Sequence, residues 1–364
     1  MYNFMNLIPS PDVSPIPSPP ELFIFFIVFT FFVHILFMNL TLGGSILFVI
    51  AKFFSKKEET KAIAKEIGSV NTFNISLTIT TGIAPLLFYQ VVYGQFFYSS
   101  SILLGWKWLF VLVAITVAYY FYYLYKMKPG YLKDGNDRGA GFVVVSAILF
   151  IYVALMLTTN TVLSMSPDKW LDIYLKKSSA FAITTVIPRV LHFIFAAIAF
   201  SGVFLMAYPK FKKSLDENVK KEMYNFGKNS FVYATMIQIP VGILFLFTLK
   251  SRAMGMVLGG NMIALICWVV GILAAFYGVS KVFSKKETVT GLSILLLISV
   301  ACMVIVRRVV EYGYWSKYFD YSSLKVAPQW DVFILFALLF VALLVVLFYT
   351  LKRNAKELSE FKSN

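Results

Sequence analysis

Long apolar stretches joined by short polar segments constrain this chain more than any other feature of its sequence. A helix needs about 20 apolar residues to cross the hydrocarbon core of a bilayer. By that length we predict nine membrane-spanning helices, at roughly residues 21–53, 70–99, 102–126, 140–164, 182–209, 224–249, 255–282, 289–314 and 329–351. The chain is 59% apolar and only 14% charged, a composition outside the range of soluble domains. The predicted fold class is therefore an all-α integral membrane protein.

The joints are too short to separate folded modules, so we predict one membrane domain over residues 21–351. A proline-rich segment, 1–20, precedes it and contains no Lys or Arg, so the first helix is expected to be retained. A basic tail, 352–364, follows. Basic residues favour the cytoplasmic side of a membrane, and their distribution predicts an outer N-terminus and a cytoplasmic C-terminus. They include Lys56, Lys57, Lys210, Lys212, Lys213, Lys285, Lys286 and Lys352.

The formal charge of +15 does not indicate a nucleic-acid partner, because the basic residues lie in the joints and not in one patch. The two cysteines, Cys267 and Cys302, fall within apolar runs, and the sequence contains no CxxCH. Neither a disulfide framework nor covalently attached haem is therefore expected.

The only two histidines, His34 and His192, both lie in predicted spans. Ionisable groups within the membrane are costly and usually functional. At helical spacing His34 shares a face with Thr41 and Ser45, whose small side chains would let a flat ring lie against the helix. A haem ligand is one interpretation of His34, and a hydrogen bond to a neighbouring helix is the other.

His192 lies in the segment RVLHFIFAAIAFSG, with Arg189 one turn before it and Ala196 and Ala199 on the following turns. Its imidazole could bind haem iron while Arg189 pairs with a propionate through charge-assisted hydrogen bonds. Arg189 alone could instead extend its charged end to the membrane interface.

Two further segments carry candidate ligands. In SRAMGMVLGGNM, at the outer end of the predicted seventh helix, Arg252 stands two residues before Met254. A thioether can be the second axial ligand of haem, although methionine is also an ordinary apolar filler. In VRRVVEYGYW, Glu311 follows Arg307 and Arg308 by one turn. Its carboxylate could ligate iron, carry protons or form an ion pair with those arginines.

Together these segments resemble subunit I of the cytochrome bd quinol oxidases, nearly from end to end. HILFMNLTLGG is similar to the helix-1 motif whose histidine serves the active-site haem pair. RVLHFIFAAIAFSG and SRAMGMVLGG are similar to the helix-5 and helix-7 motifs that supply the two ligands of a low-spin haem b. EYGYW resembles the helix-8 motif in which a glutamate ligates a high-spin haem b. The family also has nine helices with the N-terminus outside.

The resemblance implies that His34 and Glu311 serve oxygen-reducing haems and that His192 and Met254 form an axial pair. Arg189 and Arg252 become further cofactor-binding residues. The implied cofactors are one to three haem b groups, one of which could be haem d. The implied protein is an oxidoreductase of the prokaryotic cytoplasmic membrane. It would lie in lipid beside a second membrane subunit of a respiratory complex and pass electrons near the outer face.

Three features depart from the family pattern. About half a dozen residues separate the sixth and seventh predicted spans, where the family has a long hydrophilic loop for quinol. A cytochrome c or another redox donor at the outer face is therefore expected in place of quinol. The third span contains no glutamate, and Tyr314 stands where the family has an arginine.

Two other classes of function fit the same composition. A transporter or channel could use the histidines in a proton or ion path without haem. A haem-free membrane anchor could keep the helices for assembly alone. A visible absorption spectrum distinguishes both from a cytochrome.

Overall fold

The computed structural model describes residues 8–12, 14–127, 139–284 and 288–361. Within these ranges nine helices are long and apolar enough to cross a membrane, which confirms the predicted class. The β-structure of the same ranges is a single bridge between Ile16 and Val326. In chain order the long helices are α1 (Pro20–Phe53), α2 (Glu58–Leu104), α3 (Trp106–Met127), α4 (Ala140–Ser164), α5 (Val186–Ala207), α6 (Glu217–Phe247), α7 (Met262–Phe283), α8 (Val289–Trp315) and α9 (Trp330–Phe361).

The predicted start of the seventh span is wrong. Residue 255 lies in a short helix, Ser251–Gly255, which a π-helical turn, Met256–Gly260, separates from α7. The chain turns because Gly259 takes a φ of +143°, a conformation that favours glycine. The Asn261 side chain then caps α7. Residues 248–261 thus form a connection more than twice as long as the sequence suggested, and still without a long hydrophilic loop.

Glycines set the closest helix crossings. A Cβ atom on Gly43 of α1 would overlap the carbonyl group of Ala197 on α5, and one on Gly202 of α5 would meet the backbone at Gly227 of α6. Small residues of this kind let membrane helices approach and pack by van der Waals contact. They bring α1 close to α5 and α5 close to α6.

Ion pairs mark one end of the bundle, which we call the Glu66 end. There Lys212 lies 2.6 Å from Glu66, and Lys57 lies 3.3 Å from Glu222. The basic joints after α1 and α5 therefore share one end, as alternating spans require. The side of the membrane that this end faces stays a prediction, and Lys285 and Lys286 lie outside the described residues.

The last helix stands apart from the others. Among the residues of the apolar part of α9 whose burial the structure describes, none is buried, so this helix packs little against the other eight. The helix continues to Phe361, so most of the predicted separate tail is a helical extension. At the start of the chain, Ile16 pairs with the segment that leads into α9.

Candidate functional site

A completely buried carboxylate, Glu311, lies near the end of α8 opposite to the Glu66 end. Its Oε1 atom lies 2.8 Å from Nη2 of Arg307 and 3.7 Å from Nη2 of Arg189, and its Oε2 atom lies 3.5 Å from Nη1 of Arg308. Residues 307, 308 and 311 meet because helical positions three and four apart share a face. Arg189 reaches the carboxylate from α5. We call these four residues the arginine cluster.

Aromatic side chains enclose the arginine cluster and join it to two more helices. The Arg307 guanidinium lies 4.0 Å from the ring centre of Phe31 on α1. Arg308 hydrogen-bonds the hydroxyl of Tyr93 on α2 and lies 4.7 Å from the centre of that ring. The helical dihedral angles of α2 are interrupted at Tyr93 (φ −124°, ψ 27°), which in turn stacks on Trp315. The cluster therefore lies where α1, α2, α5 and α8 meet.

The arginine cluster carries more positive than negative charge. Among the ion pairs of the described residues, Glu311 is the only carboxylate that these three guanidinium groups share, so a formal surplus of two positive charges remains. The Arg189 side chain is only 4% exposed, and its Nη1 atom has no hydrogen-bond partner. Buried charge without a partner is costly in the membrane. The cluster is thus suited to bind an anion.

His34 lies on α1 one turn beyond Phe31, whose ring contacts Arg307 of the arginine cluster, and the His34 ring fits against α2. Its Nδ1 atom is 3.1 Å from the carbonyl oxygen of Thr78, to which an Nδ1–H group would donate. A Cβ atom on Gly82 would lie 2.9 Å from Cε1 of the ring, so the ring could keep this position only beside a glycine and would have to shift for a larger residue. A backbone carbonyl at Nδ1 is the usual second partner of a metal-binding histidine, because it leaves Nε2 free.

His192 lies one turn beyond Arg189 on α5, and its ring fits against α6 in a similar way. Gly242 provides the space, since a Cβ atom there would lie 3.3 Å from Cε1 and Nδ1 of the ring. The Nε2 atom has a long contact of 3.4 Å to the amide nitrogen of Gln238, and Nδ1 is buried without a hydrogen-bond partner. The imidazole is underbonded in a place where unmade hydrogen bonds are costly.

The two imidazoles lie on the same side of the α1–α5 crossing. His34 precedes Gly43 by nine residues and His192 precedes Ala197 by five, which at 1.5 Å per residue is roughly 13 Å and 8 Å along the helices. Both histidines therefore lie on the side of this crossing that faces the arginine cluster. The structure thus brings both histidines, Arg189 and Glu311 to one half of the bundle.

Met254 is half-buried in the short helix before α7 and not in α7 itself. Ala253, the residue before Met254, packs against Gly313 of α8. A Cβ atom at Gly313 would lie 2.9 Å from the Ala253 Cα atom. The hydroxyl of Tyr314 accepts a hydrogen bond of 2.9 Å from the backbone of Lys250 and fixes this segment to α8. Arg252, which the sequence grouped with Met254, has an exposed side chain.

Four residues of the site were not identified from the sequence. Thr78 and Gly82 seat His34, and Gln238 and Gly242 seat His192. Gln238 could have been found as an amide within an apolar span, where polar groups are costly. Gly82 and Gly242 could not have been found, because their role is to make room for a histidine ring on the neighbouring helix.

Within the part of the chain that the structure describes, no group of three or more His, Cys, Asp or Glu is placed to hold a metal ion. A haem iron needs fewer protein ligands than such a group supplies. No protein family model and no curated protein sequence matches the chain. The proposal that follows therefore depends on the residues themselves.

Proposed function

We propose that this chain is a haem-binding membrane cytochrome of the bd-oxidase type. It transfers electrons near the outer face of the membrane as one subunit of a respiratory redox complex, and oxygen is its expected acceptor. The observation that carries the proposal is the arginine cluster and its surplus of two positive charges. His192 lies one turn beyond Arg189 of this cluster, and His34 lies one turn beyond Phe31, whose ring contacts Arg307.

The residues present fit haem in charge and in hydrogen bonding. A haem carries two propionates, and these would balance the two surplus positive charges of the arginine cluster. Nη1 of Arg189, which has no hydrogen-bond partner among the described residues, would donate to one of them. The Nδ1–H of His34 is occupied by a backbone carbonyl in the manner of a metal ligand, and His192 has a nitrogen without a partner.

The ligand assignments follow the family pattern and belong to the proposal. His192 and Met254 would hold a low-spin haem b, while His34 and Glu311 would hold the haems, b or d, at which oxygen binds. Arg189 and Arg252 would pair with propionates. Bound haem supplies one-electron chemistry and, where an iron position is open, a site for dioxygen. Glu311 is engaged by three arginines, so acting as a ligand would require it to give up at least one of them.

The protein's own residues orient the two imidazoles and stabilise negative charge. The seats at Gly82 and Gly242 fix the orientation of the two imidazoles. The arginine cluster stabilises negative charge, and the rings of Phe31 and Tyr93 pack against its guanidinium groups. The short connection over 248–261 supports an electron donor other than quinol, namely a cytochrome c or a partner subunit at the outer face.

The test is the visible absorption spectrum of the purified full chain, oxidised and reduced, after expression with adequate haem. We expect a Soret band and a reduced-minus-oxidised α band. His192→Ala should remove the six-coordinate low-spin signal and keep any high-spin signal, and His34→Ala should do the reverse. A colourless wild-type protein would refute the proposal and favour a transporter or a haem-free anchor.

A second test addresses the charge argument. Arg189→Leu removes a buried charge-assisted donor worth roughly 1.5–3 kcal/mol, so haem affinity should fall by about tenfold or more. Lys57→Leu is the control, because Lys57 is an exposed cation at the Glu66 end of the bundle. An equal loss in these two variants would show a general effect of removing charge, and no loss at Arg189 would contradict the role of the cluster.

A further inference from the structure

A cavity of about 470 Å³ lies at the end of the bundle opposite to the Glu66 end. Residues from the end of α2, the start of α3 and the connection between α4 and α5 line it. Pockets that bind small molecules typically have volumes of roughly 300–1,000 Å³. Among the described residues that line it, none is a histidine or belongs to the arginine cluster, so the cavity is separate from the candidate functional site.

Two lysines line this cavity, which we call the basic cavity: Lys107 in the first turn of α3 and Lys176 in the connection between α4 and α5. Among the described residues neither ammonium group has a carboxylate partner. Of the two acidic residues in this connection, Asp168 pairs with Lys250 at 2.7 Å, and Asp172 does not line the cavity. The basic cavity therefore carries two positive charges that no described carboxylate balances.

Hydroxyl groups accompany the two cations, because Ser178 and Ser179 line the same cavity. The Ser179 oxygen accepts a hydrogen bond of 3.3 Å from the backbone N–H of Phe181, which leaves the hydroxyl hydrogen available to donate. The Lys107 ammonium lies 5.3 Å from the ring centre of Phe181, so α3 and the connection meet at the cavity. Ammonium and hydroxyl donors placed together are suited to bind the oxygens of a phosphate group.

The backbone at Lys176 has a φ of +57°, and among the described residues no other residue except glycine has a positive φ. Lys176 follows the short helix Trp170–Tyr174, at a position where glycine commonly ends a helix. A side chain in this left-handed conformation is unfavourable. The lysine thus places a cation at the cavity at a cost to the backbone, and Lys176→Gly would remove the cation and relieve that cost.

The other walls of the basic cavity are apolar, and part of its rim is exposed. Leu103 and Ile173 line it, as do the exposed residues Ile102 and Tyr174. Trp106, beside Lys107, is also exposed. Tryptophan and tyrosine favour the headgroup level of a bilayer. The basic cavity is therefore expected at the depth of the lipid phosphates, with an apolar exit toward the acyl chains.

We propose that the basic cavity binds the phosphate group of an anionic phospholipid, whose acyl chains leave past Ile102 into the bilayer. Lys107 and Lys176 would contact the phosphate oxygens. A zwitterionic lipid fits less well, because two lysines would repel its ammonium group and the lining offers that group no carboxylate. This inference does not depend on haem.

General attraction between basic residues and anionic lipid makes a different prediction. A lysine near a membrane surface strengthens the binding of anionic lipid by about fivefold wherever it lies. That effect depends on the number of cations that are removed. A built site depends instead on which cations are removed, so a matched pair of lysines outside the cavity separates the two explanations.

Native mass spectrometry of the full chain in detergent, without added haem, measures the affinity for the first bound lipid. The probes are a phosphatidylglycerol and a phosphatidylcholine with the same acyl chains. We expect the wild type to prefer phosphatidylglycerol by about 25-fold, because each of the two lysines contributes about fivefold. Lys107→Gln combined with Lys176→Gly should remove most of this preference. A colourless protein, which would refute the haem proposal, leaves this measurement intact.

Two controls are matched to this cavity variant. Lys169→Gln combined with Lys325→Gln also removes two lysines, both exposed, at the same end of the bundle and outside the cavity lining. Arg189→Leu tests the arginine cluster, which is the other cationic site described at this end. Both controls should keep the wild-type preference for phosphatidylglycerol.

The proposal holds if the cavity variant alone loses the preference. An equal loss in the double-lysine control would overturn it in favour of general attraction. A loss in Arg189→Leu without one in the cavity variant would place the lipid at the arginine cluster and also overturn it. Inorganic phosphate is the last probe, and displacement of phosphatidylglycerol by an equal concentration of it would show that the ligand is free phosphate and not a lipid.

Discussion

Replacing Glu311 with leucine should cost more stability than any other single loss of a carboxylate in this chain. Glu311 is fully buried and its oxygens lie 2.8–3.7 Å from three guanidinium groups. At an effective dielectric constant of about 20, each such contact has a gross attraction of roughly 4–6 kcal/mol. The variant removes all three contacts and leaves the cationic partners in place.

The measurable effect is smaller than the gross attraction. Bringing the charges out of water already cost much of that energy, and the arginines keep their contacts with Phe31 and Tyr93. Removing one partner of a buried ion pair typically costs about 3–5 kcal/mol. We expect a loss of that size in the free energy of unfolding.

Equilibrium unfolding with sodium dodecyl sulfate in mixed micelles, followed by tryptophan fluorescence, measures this loss in haem-free protein. Glu217→Leu is the matched control, because Glu217 pairs with Lys220 at 2.7 Å but its side chain is 86% exposed. Exposed pairs contribute little, so the control should unfold like the wild type. If Glu311→Leu were no less stable than this control, the reasoning about the arginine cluster would be refuted.

Three further outcomes are expected. Gly82→Ala places a Cβ atom 2.9 Å from the His34 ring, so it should cost about 1–3 kcal/mol and alter any haem signal that depends on His34. Tyr314→Phe removes the acceptor of a backbone hydrogen bond from the segment before α7, and a lost partner of this kind costs about 1–3 kcal/mol. Burial, and then the charge of Asp168, raise the pKa of Tyr318 to about 12, so the folded state should lose stability as pH rises from about 10 to about 12, and Tyr318→Phe should lose less.

Each of these outcomes has a control or a contrary result. Gly141→Ala is the control for Gly82→Ala, because nothing lies within 4 Å of a Cβ atom at Gly141. For Tyr314→Phe, unchanged hydrogen exchange of the Lys250 amide would contradict the role of the hydroxyl. For Tyr318, equal slopes of stability against pH in wild type and variant would show that its proton is not linked to folding.

The fold class could be predicted because bilayer thickness fixes the length of apolar runs independently of tertiary contacts. The predicted helix boundaries were wrong at positions about which bilayer thickness gives no information. The seventh span was placed too early because Met256 and Val257 are apolar, whereas Gly259 and Asn261 decide where α7 begins. The polar first turns of α2 were likewise left out of a span defined by hydropathy, although they are helical.

The candidate site divides in the same way. The pairing of Arg307 and Arg308 with Glu311 could be predicted, because spacings of three and four residues meet on one helix face. The arrival of Arg189 from α5 could not, since it depends on the crossing at Gly43 and Ala197. The sequence treated an ion pair as the alternative to a functional Glu311, but the burial of that pair with excess positive charge makes the two interpretations compatible.

A structural role alone explains the arginine cluster poorly. One guanidinium would neutralise Glu311 at the least cost, and each additional buried arginine adds a desolvation penalty and repels the others. Replacement of the whole group by apolar residues of similar size would be at least as stable by the same reasoning. The surplus charge supports the proposal that the site binds an anion. The two nearby imidazoles, each seated on a glycine of the next helix, support the proposal that this anion also carries a metal ion.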